Sequence, residues 1–261
     1  MHCFIAKRVV RIDPPFLASI ALVLMLTFAS SRLGGNGGAG FEINYPALFA
    51  HLGYLNAIIG LDWLTPVYWT LAIEAQYYLL MAFLFPLFTN RFIKTDWQRS
   101  LVCLGLAMGC YLAPHNTQLI FYWLPLFGIG ILCFQRNSIG CDDRVFWISY
   151  AAILVVAYSA IPWPQATTGA LTGLIIVYAK FFEKILMKGP LVWLGTISYS
   201  LYLVHAPLGN RLINFALRLE VTGIWHFFVV VFAIISTIVF AYGFYRIFEK
   251  PFQTISSKID Y

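Results

Sequence analysis

The chain has 261 residues, of which 61% are apolar, 18% aromatic and only 11% charged. Soluble domains carry about 25% charged residues, so a water-soluble globule of this make-up would expose apolar surface that it has no means to cover. Disorder needs the opposite bias, with low hydropathy and high charge. The net charge of +6 would fit a nucleic-acid partner only if the cations shared one face. They fall instead in small clusters between apolar runs, the pattern of topology signals in a polytopic membrane protein.

In chain order, eight apolar segments approach the roughly 20 residues that a helix needs to cross hydrocarbon: 14–33, 69–89, 100–113, 119–134, 145–162, 167–182, 192–212 and 224–247. The expected fold class is an all-α polytopic membrane protein with about eight transmembrane helices and one domain over residues 1–261. Pro14-Pro15 suits the first turn of the first span, where a missing N–H costs nothing. The third and fourth segments are short, and Pro114-His115-Asn116 between them reads as a tight turn. Residues 34–68 form a long extracytoplasmic loop that opens on a glycine-rich run, Gly34 to Gly40. Within that loop, Tyr45–Gly60 reads as an interfacial or re-entrant segment. No internal or inverted repeat is visible, and nothing resembles a cleavable signal. The five cysteines (Cys3, Cys103, Cys110, Cys133, Cys141) include no CxxC pair, so neither a disulfide framework nor a metal site is expected.

The cations set the orientation. With the N-terminus inside and eight alternating helices, the inner side receives 14 of the 17 basic residues, including Lys7, Arg8, Arg11, Arg99, Arg136 and Arg246. The outer side receives only 3, namely Arg32, Arg211 and Arg218. Both termini are therefore expected in the cytoplasm.

An ionisable group inside a span costs on the order of 3 kcal/mol unless it faces protein or water. Three regions carry such groups or flank a span with them. In Lys7-Arg8-Val9-Val10-Arg11, the two arginines share a face if the helix extends there. They would then grip phosphate oxygens bidentately, or serve simply as inner-side anchors for lipid headgroups. In the stretch from Pro66 to Tyr78, Thr70, Glu74, Tyr77 and Tyr78 recur at helical spacing. A carboxylate there is a proton acceptor, a ligand for a substrate hydroxyl, the partner of a buried cation, or a structural bond to a neighbouring helix. In Leu194 to His205, Ser198, Tyr202 and His205 fall on one face, with His205 near mid-bilayer. Its imidazole suits proton transfer near neutral pH, or helix-to-helix hydrogen bonding.

Taken together and in this order, these segments resemble the type-3 family of integral-membrane acyltransferases. The matching stretches are Arg8-Val9-Val10-Arg11-Ile12-x-Pro14, then Trp69-Thr70-Leu71-x-x-Glu74-x-x-Tyr77-Tyr78, then Leu194-Gly195-x-x-Ser198-Tyr199-Ser200-Leu201-Tyr202-Leu203-x-His205, and last Tyr245-Arg246-x-x-Glu249-Lys250-Pro251-Phe252. The resemblance covers essentially the whole chain. It implies transfer of an acyl group, acetyl in particular, from cytoplasmic acyl-CoA to a hydroxyl of a carbohydrate or surface polysaccharide. The lipid bilayer is then the setting, the bacterial inner (plasma) membrane the location, and acyl-CoA a co-substrate rather than a resident cofactor. No nucleic acid is implied.

Carried onto this sequence, the resemblance gives Arg8 and Arg11 the CoA phosphates and makes Glu74 and His205 the catalytic candidates. Trp69, Thr70, Tyr78, Ser198 and Tyr202 would line the substrate passage. The chain also departs from the family pattern. Members normally carry about ten core spans, two of them before the Arg-x-x-Arg element, the first holding an arginine and a catalytic histidine. Here only a few residues precede Arg8, and His2 does not replace that helix pair, so an N-terminally truncated chain is expected. The competing readings are a carrier of a lipid-linked sugar or small solute, for which buried Glu and His are equally apt, and a non-catalytic remnant.

Overall fold

A computed structural model describes residues 2–33, 43–88, 93–113, 116–218 and 223–259, and among them every regular element is helical. The helices are α1 (His2–Leu33), α2 (Tyr45–Leu52), α3 (Asn56–Ile59), α4 (Tyr68–Phe88), α5 (Asp96–Met108), α6 (Ile120–Phe134), α7 (Asp143–Ala160), α8 (Trp163–Val177), α9 (Ala179–Leu186), α10 (Gly189–Thr196), α11 (Ser198–Arg218), α12 (Ile224–Phe244) and α13 (Lys250–Ser257). Single π-turns follow α6 (Gln135–Ile139) and α12 (Tyr245–Glu249). The expected glycine run 34–40, Arg91 and the Pro114-His115 turn lie outside the described residues.

Among the described residues, three helices are long and apolar enough to cross a membrane: Cys3–Arg32, Asp143–Ala160 and Ile224–Ser257. A fourth joins them if Gly189–Thr196 and Ser198–Ala216, bent by 69°, count as one broken span. The eight expected segments are helical almost throughout where described, but three are shorter than a full crossing. Helices α5, α6 and α8 have 13, 15 and 15 residues. At about 1.5 Å per residue they cover ~20–23 Å, against a hydrocarbon thickness of ~30 Å.

The chain divides into two compact units. The first comprises Met1–Ala72 and Gly189–Tyr261. Here α1 packs on α11 and α13, and α11 on α12. Phe16, Ile20, Val23, Tyr68, Leu71, Leu203, Val204, Ala241 and Phe244 form its core. The first helix differs from the sequence expectation in starting at His2, so that Pro14 and Pro15 sit inside it rather than in its first turn. Neither proline can donate a hydrogen bond, which leaves the carbonyls of Val10 and Arg11 without a helical partner. Pro251 has a similar effect at the other end of the unit. It stands in the first turn of α13, directly after the turn in which the Lys250 N–H bonds five residues back to Tyr245. That widened π-turn carries Glu249 into the interior.

The second unit, Ile73–Lys188, packs α5, α6, α7 and α8 around Cys103, Ala107, Ile129, Leu132, Phe146 and Ile153. A capping box between Thr95 and Gln98 starts α5. Helix α8 approaches closely at Gly173, where a Cβ would stand 2.7 Å from Ile129 Cγ2 and 2.8 Å from the Tyr150 hydroxyl.

Candidate functional site

The arginines expected on the inner side, Arg8 and Arg11, come first in the chain. Because α1 begins at His2, Arg8 and Arg11 lie on a continuous helix one turn apart and share a face. Arg8 is half-buried with its guanidinium carbon 5.7 Å from the Phe4 ring centre, whereas Arg11 is exposed. The Arg11 charge lies close enough to act on the Glu249 carboxylate.

Helix α11 is tied into the first unit by its opening turns. The Tyr199 hydroxyl donates to the Ile12 carbonyl at 2.9 Å, joining α11 to α1 just beyond Arg11. Ser200, fully buried, donates both its backbone N–H (3.1 Å) and its hydroxyl to Glu249 Oε2. Gln253 Nε2 donates to Glu249 Oε1 at 2.7 Å. Glu249, only 2% exposed, thus accepts the free N–H of a first-turn residue, as a capping carboxylate does, and places negative charge at the positive end of α11. One turn further, the Tyr202 hydroxyl donates to the Val67 carbonyl at 2.8 Å and hydrogen-bonds Thr70 Oγ1. Sequence reasoning quoted Glu249 in a motif without giving it work; its mid-helix position before a Lys-Pro pair was the available signal.

The expected polar stripe on α11 separates in the structure. The exposed Ser198 hydroxyl donates to the Gly195 carbonyl at 2.8 Å, within its own turn. His205 is exposed, and its Nδ1 faces the carbonyls of Tyr202 (2.8 Å) and Leu201 (3.2 Å). Two carbonyl acceptors require Nδ1 to carry the proton, so the lone pair is on Nε2, which has no hydrogen-bond partner among the described residues. The Tyr202 ring lies beside it, with centroids 5.6 Å apart.

The stripe on α4 also divides. Trp69 and Thr70 belong to the first unit, and Thr70 reaches Tyr202. Glu74 lies in the second unit, half-buried, and accepts the Tyr78 hydroxyl on Oε1. Tyr77 instead stacks on Phe127 at 4.1 Å.

One polar centre was not anticipated. The stretch Tyr45–Gly60, read from sequence as an interfacial or re-entrant segment, folds as α2 and α3 around His51 and Asn56, both fully buried. The Leu64 N–H donates to His51 Nε2 at 3.1 Å, so the ring proton is on Nδ1, which donates to the Ala47 carbonyl at 2.6 Å. Asn56 Nδ2 bonds the Asp62 carbonyl at 3.0 Å. Trp63 and Tyr68 meet the imidazole edge-on. Burial pushes the His51 pKa below its ordinary 6.5, partly opposed by the bond to Ala47. A lone histidine in an apolar segment gave no sign of this.

Comparison with known proteins adds the following. A model of the type-3 acyltransferase domain matches residues 2–246. The chain is 24% identical over 228 residues to a protein of Acidianus two-tailed virus provisionally named as an acetyltransferase, ORF330, covering 78% of this chain and 64% of that one. It is 25% identical over 233 residues to O-acetyltransferase OatA of Staphylococcus aureus, covering 71% of this chain and 35% of OatA. The chain thus spans under two thirds of the length of either relative. No solved structure matches it.

Proposed function

This chain belongs to the type-3 acyltransferase family, and on that premise we propose that it transfers an acyl group, acetyl in the first instance, from acyl-CoA to a hydroxyl of a carbohydrate. The observation that carries the reading is the bonding among its motif segments. Tyr199 to Ile12, Ser200 to Glu249 and Tyr202 to Thr70 link the Arg-x-x-Arg helix, the start of α4, the 194–205 segment and the last motif within one unit. The relatives' names, acetyltransferase and O-acetyltransferase, support the acetyl group and the oxygen acceptor.

In this reading the chain threads a bacterial plasma membrane in eight passes, α5, α6 and α8 among them, with both termini in the cytoplasm as the cation distribution directs. Arg8 and Arg11 bind the CoA phosphates at the inner surface, where a planar guanidinium pairs with phosphate bidentately. The acceptor hydroxyl oxygen attacks the thioester carbon, an ester C–O bond forms, the C–S bond breaks, and the CoA sulfur leaves as the thiol. The hydroxyl proton needs an acceptor. His205 has the fitting tautomer, with Nδ1–H fixed by backbone carbonyls and the Nε2 lone pair available. Glu74, whose Oε1 is occupied by Tyr78, has Oε2 left to orient a hydroxyl. Trp69, Thr70, Ser198 and Tyr202 line the path of donor and acceptor.

The test uses the full chain in lipid nanodiscs with acetyl-labelled acetyl-CoA and a mixture of oligosaccharides, reading labelled ester by mass spectrometry and free CoA by absorbance. Transfer that drops at least ~100-fold in His205→Gln and Glu74→Gln, the usual scale for losing a proton-transfer group, supports the assignment. Transfer at wild-type rate in both variants removes these residues from the reaction, and absence of any CoA release removes the activity.

A further inference from the structure

We propose that a cleft between the C-terminal half of α1 and α11 is a binding site for a glycan that carries a carboxylate. The cavity measures about 770 Å³, the size of a small-molecule site, and is lined by Thr27, Thr65, Asn210, Arg211, Asn214 and Phe215 among others. It stands far from the inner-side arginines. Thr27 follows Arg8 by 19 residues on one helix, a rise of ~28 Å, so the cleft is close to a full hydrocarbon thickness away from the proposed CoA grip.

The chemistry of the lining selects the ligand. Arg211 Nη1 donates to the Pro207 carbonyl at 2.8 Å and Nη2 to Thr27 Oγ1 at 2.7 Å. A guanidinium has five N–H donors, so three remain. Among the described residues no carboxylate pairs with it; the ion pairs there are Arg99–Asp96 and Arg136–Asp143. A partly buried cation without a counter-ion favours an anionic partner. Two bonds to neutral oxygens fix the guanidinium plane in place and leave its other edge for that partner.

Three neutral polar groups surround it. Asn210 and Asn214, one turn apart on α11, have side-chain amides with no hydrogen-bond partner among the described residues. Each offers two donors and an acceptor, the set that matches vicinal hydroxyls. Thr65 is 4% exposed, and its hydroxyl likewise makes no bond among the described residues although it lines the cavity. Phe215, 63% exposed at the cleft, supplies an apolar face for a sugar ring. One cation, several neutral hydroxyl-matching groups and an aromatic edge describe an acidic saccharide better than a phosphate-rich ligand, which would need more than one positive charge. That this ligand is the acyl acceptor rests on the acyltransferase reading; that the cleft binds it does not.

The full chain in neutral-lipid nanodiscs is titrated with fluorescent tetragalacturonate and with the same tetrasaccharide after reduction of its carboxylates to alcohols. Saturable binding is expected for the first, at least ~10-fold weaker for the second. Arg211→Gln should weaken tetragalacturonate binding at least ~10-fold, as for loss of a charge-assisted pair. Asn210→Ala and Asn214→Ala remove no fold contact, so they guard against a misfolded Arg211 variant, and each should cost about 3-fold or more. No saturable binding, binding indifferent to Arg211 and both asparagines, or binding abolished by phosphatidylglycerol but not by the neutral tetrasaccharide would each overturn the proposal, the last assigning the cleft to lipid. Glycan binding without CoA release would leave this site standing and refute the acyl-transfer reading alone.

Discussion

Replacing Glu249 by alanine tests what holds the motif segments together. The carboxylate is 2% exposed and accepts three hydrogen bonds, two from Ser200 and one from Gln253. Gln253 is half-buried and can turn to water, but Ser200 is fully buried and cannot. Glu249→Ala therefore strands two buried donors at about 1–3 kcal/mol each. It also removes a negative charge from the start of α11, worth about 0.5–1 kcal/mol. Relief of the carboxylate's desolvation offsets part of this, and the net loss is about 3–4 kcal/mol. Glu249→Gln is milder, about 1 kcal/mol, because its amide oxygen can still accept from Ser200 while Gln253 flips to present its own oxygen. Thermal unfolding in detergent can be read with a thiol-reactive dye, since Cys103, Cys110, Cys133 and Cys141 are buried and only Cys3 is exposed among the five. At about 2–4 °C per kcal/mol, Glu249→Ala should lower Tm by roughly 10 °C and Glu249→Gln by a few degrees. A Tm for Glu249→Ala within about 2 °C of wild type would refute the idea that this carboxylate locks α11 to the end of α12.

Two further perturbations follow from the packing. The unfolded His51 ring titrates near 6.5 and the folded one lower, so between these values the unfolded chain binds more protons and stability falls as pH drops below about 6.5; Tm measured from pH 7.5 to 5 should fall more steeply in wild type than in His51→Gln, and identical slopes would contradict the buried neutral ring. Gly173→Ala should cost about 1–3 kcal/mol by overpacking against Ile129 and Tyr150, while Gly130→Ala, whose Cβ would meet nothing within 4 Å, should leave Tm unchanged or raise it slightly; equal effects would show that the close approach of α8 is not real.

What was legible in the sequence followed from periodicity and composition. Long apolar runs gave helices in the right places because hydrophobic content and helix length are local properties. The limits of α1 were not legible, since Pro14-Pro15 reads as a helix start when tertiary packing is unknown, whereas in the folded chain Tyr199 bonds the Ile12 carbonyl just before the prolines and the helix buries Phe16 and Ile20 just after them. Spacing placed Ser198, Tyr202 and His205 on one face, but spacing does not say whether a hydroxyl turns to its own backbone, as that of Ser198 does. The work fell to its neighbours Tyr199 and Ser200, whose partners Ile12 and Glu249 lie 187 and 49 residues away. His51 was hidden for the same reason: its partners Ala47 and Leu64, with the adjacent Asn56, become a polar centre only after α2 and α3 fold back on each other.

The most direct test is the dependence of acyl transfer on acetyl-CoA concentration in the wild type and in Arg8→Ala/Arg11→Ala. If the two guanidinium groups hold the donor's phosphates, the double variant should fold with an unchanged Tm yet need at least ~100-fold more acetyl-CoA for half-maximal transfer, since each charge-assisted contact is worth about 1.5–3 kcal/mol. An unchanged half-saturating concentration would place the nucleotide elsewhere and contradict the account at its base.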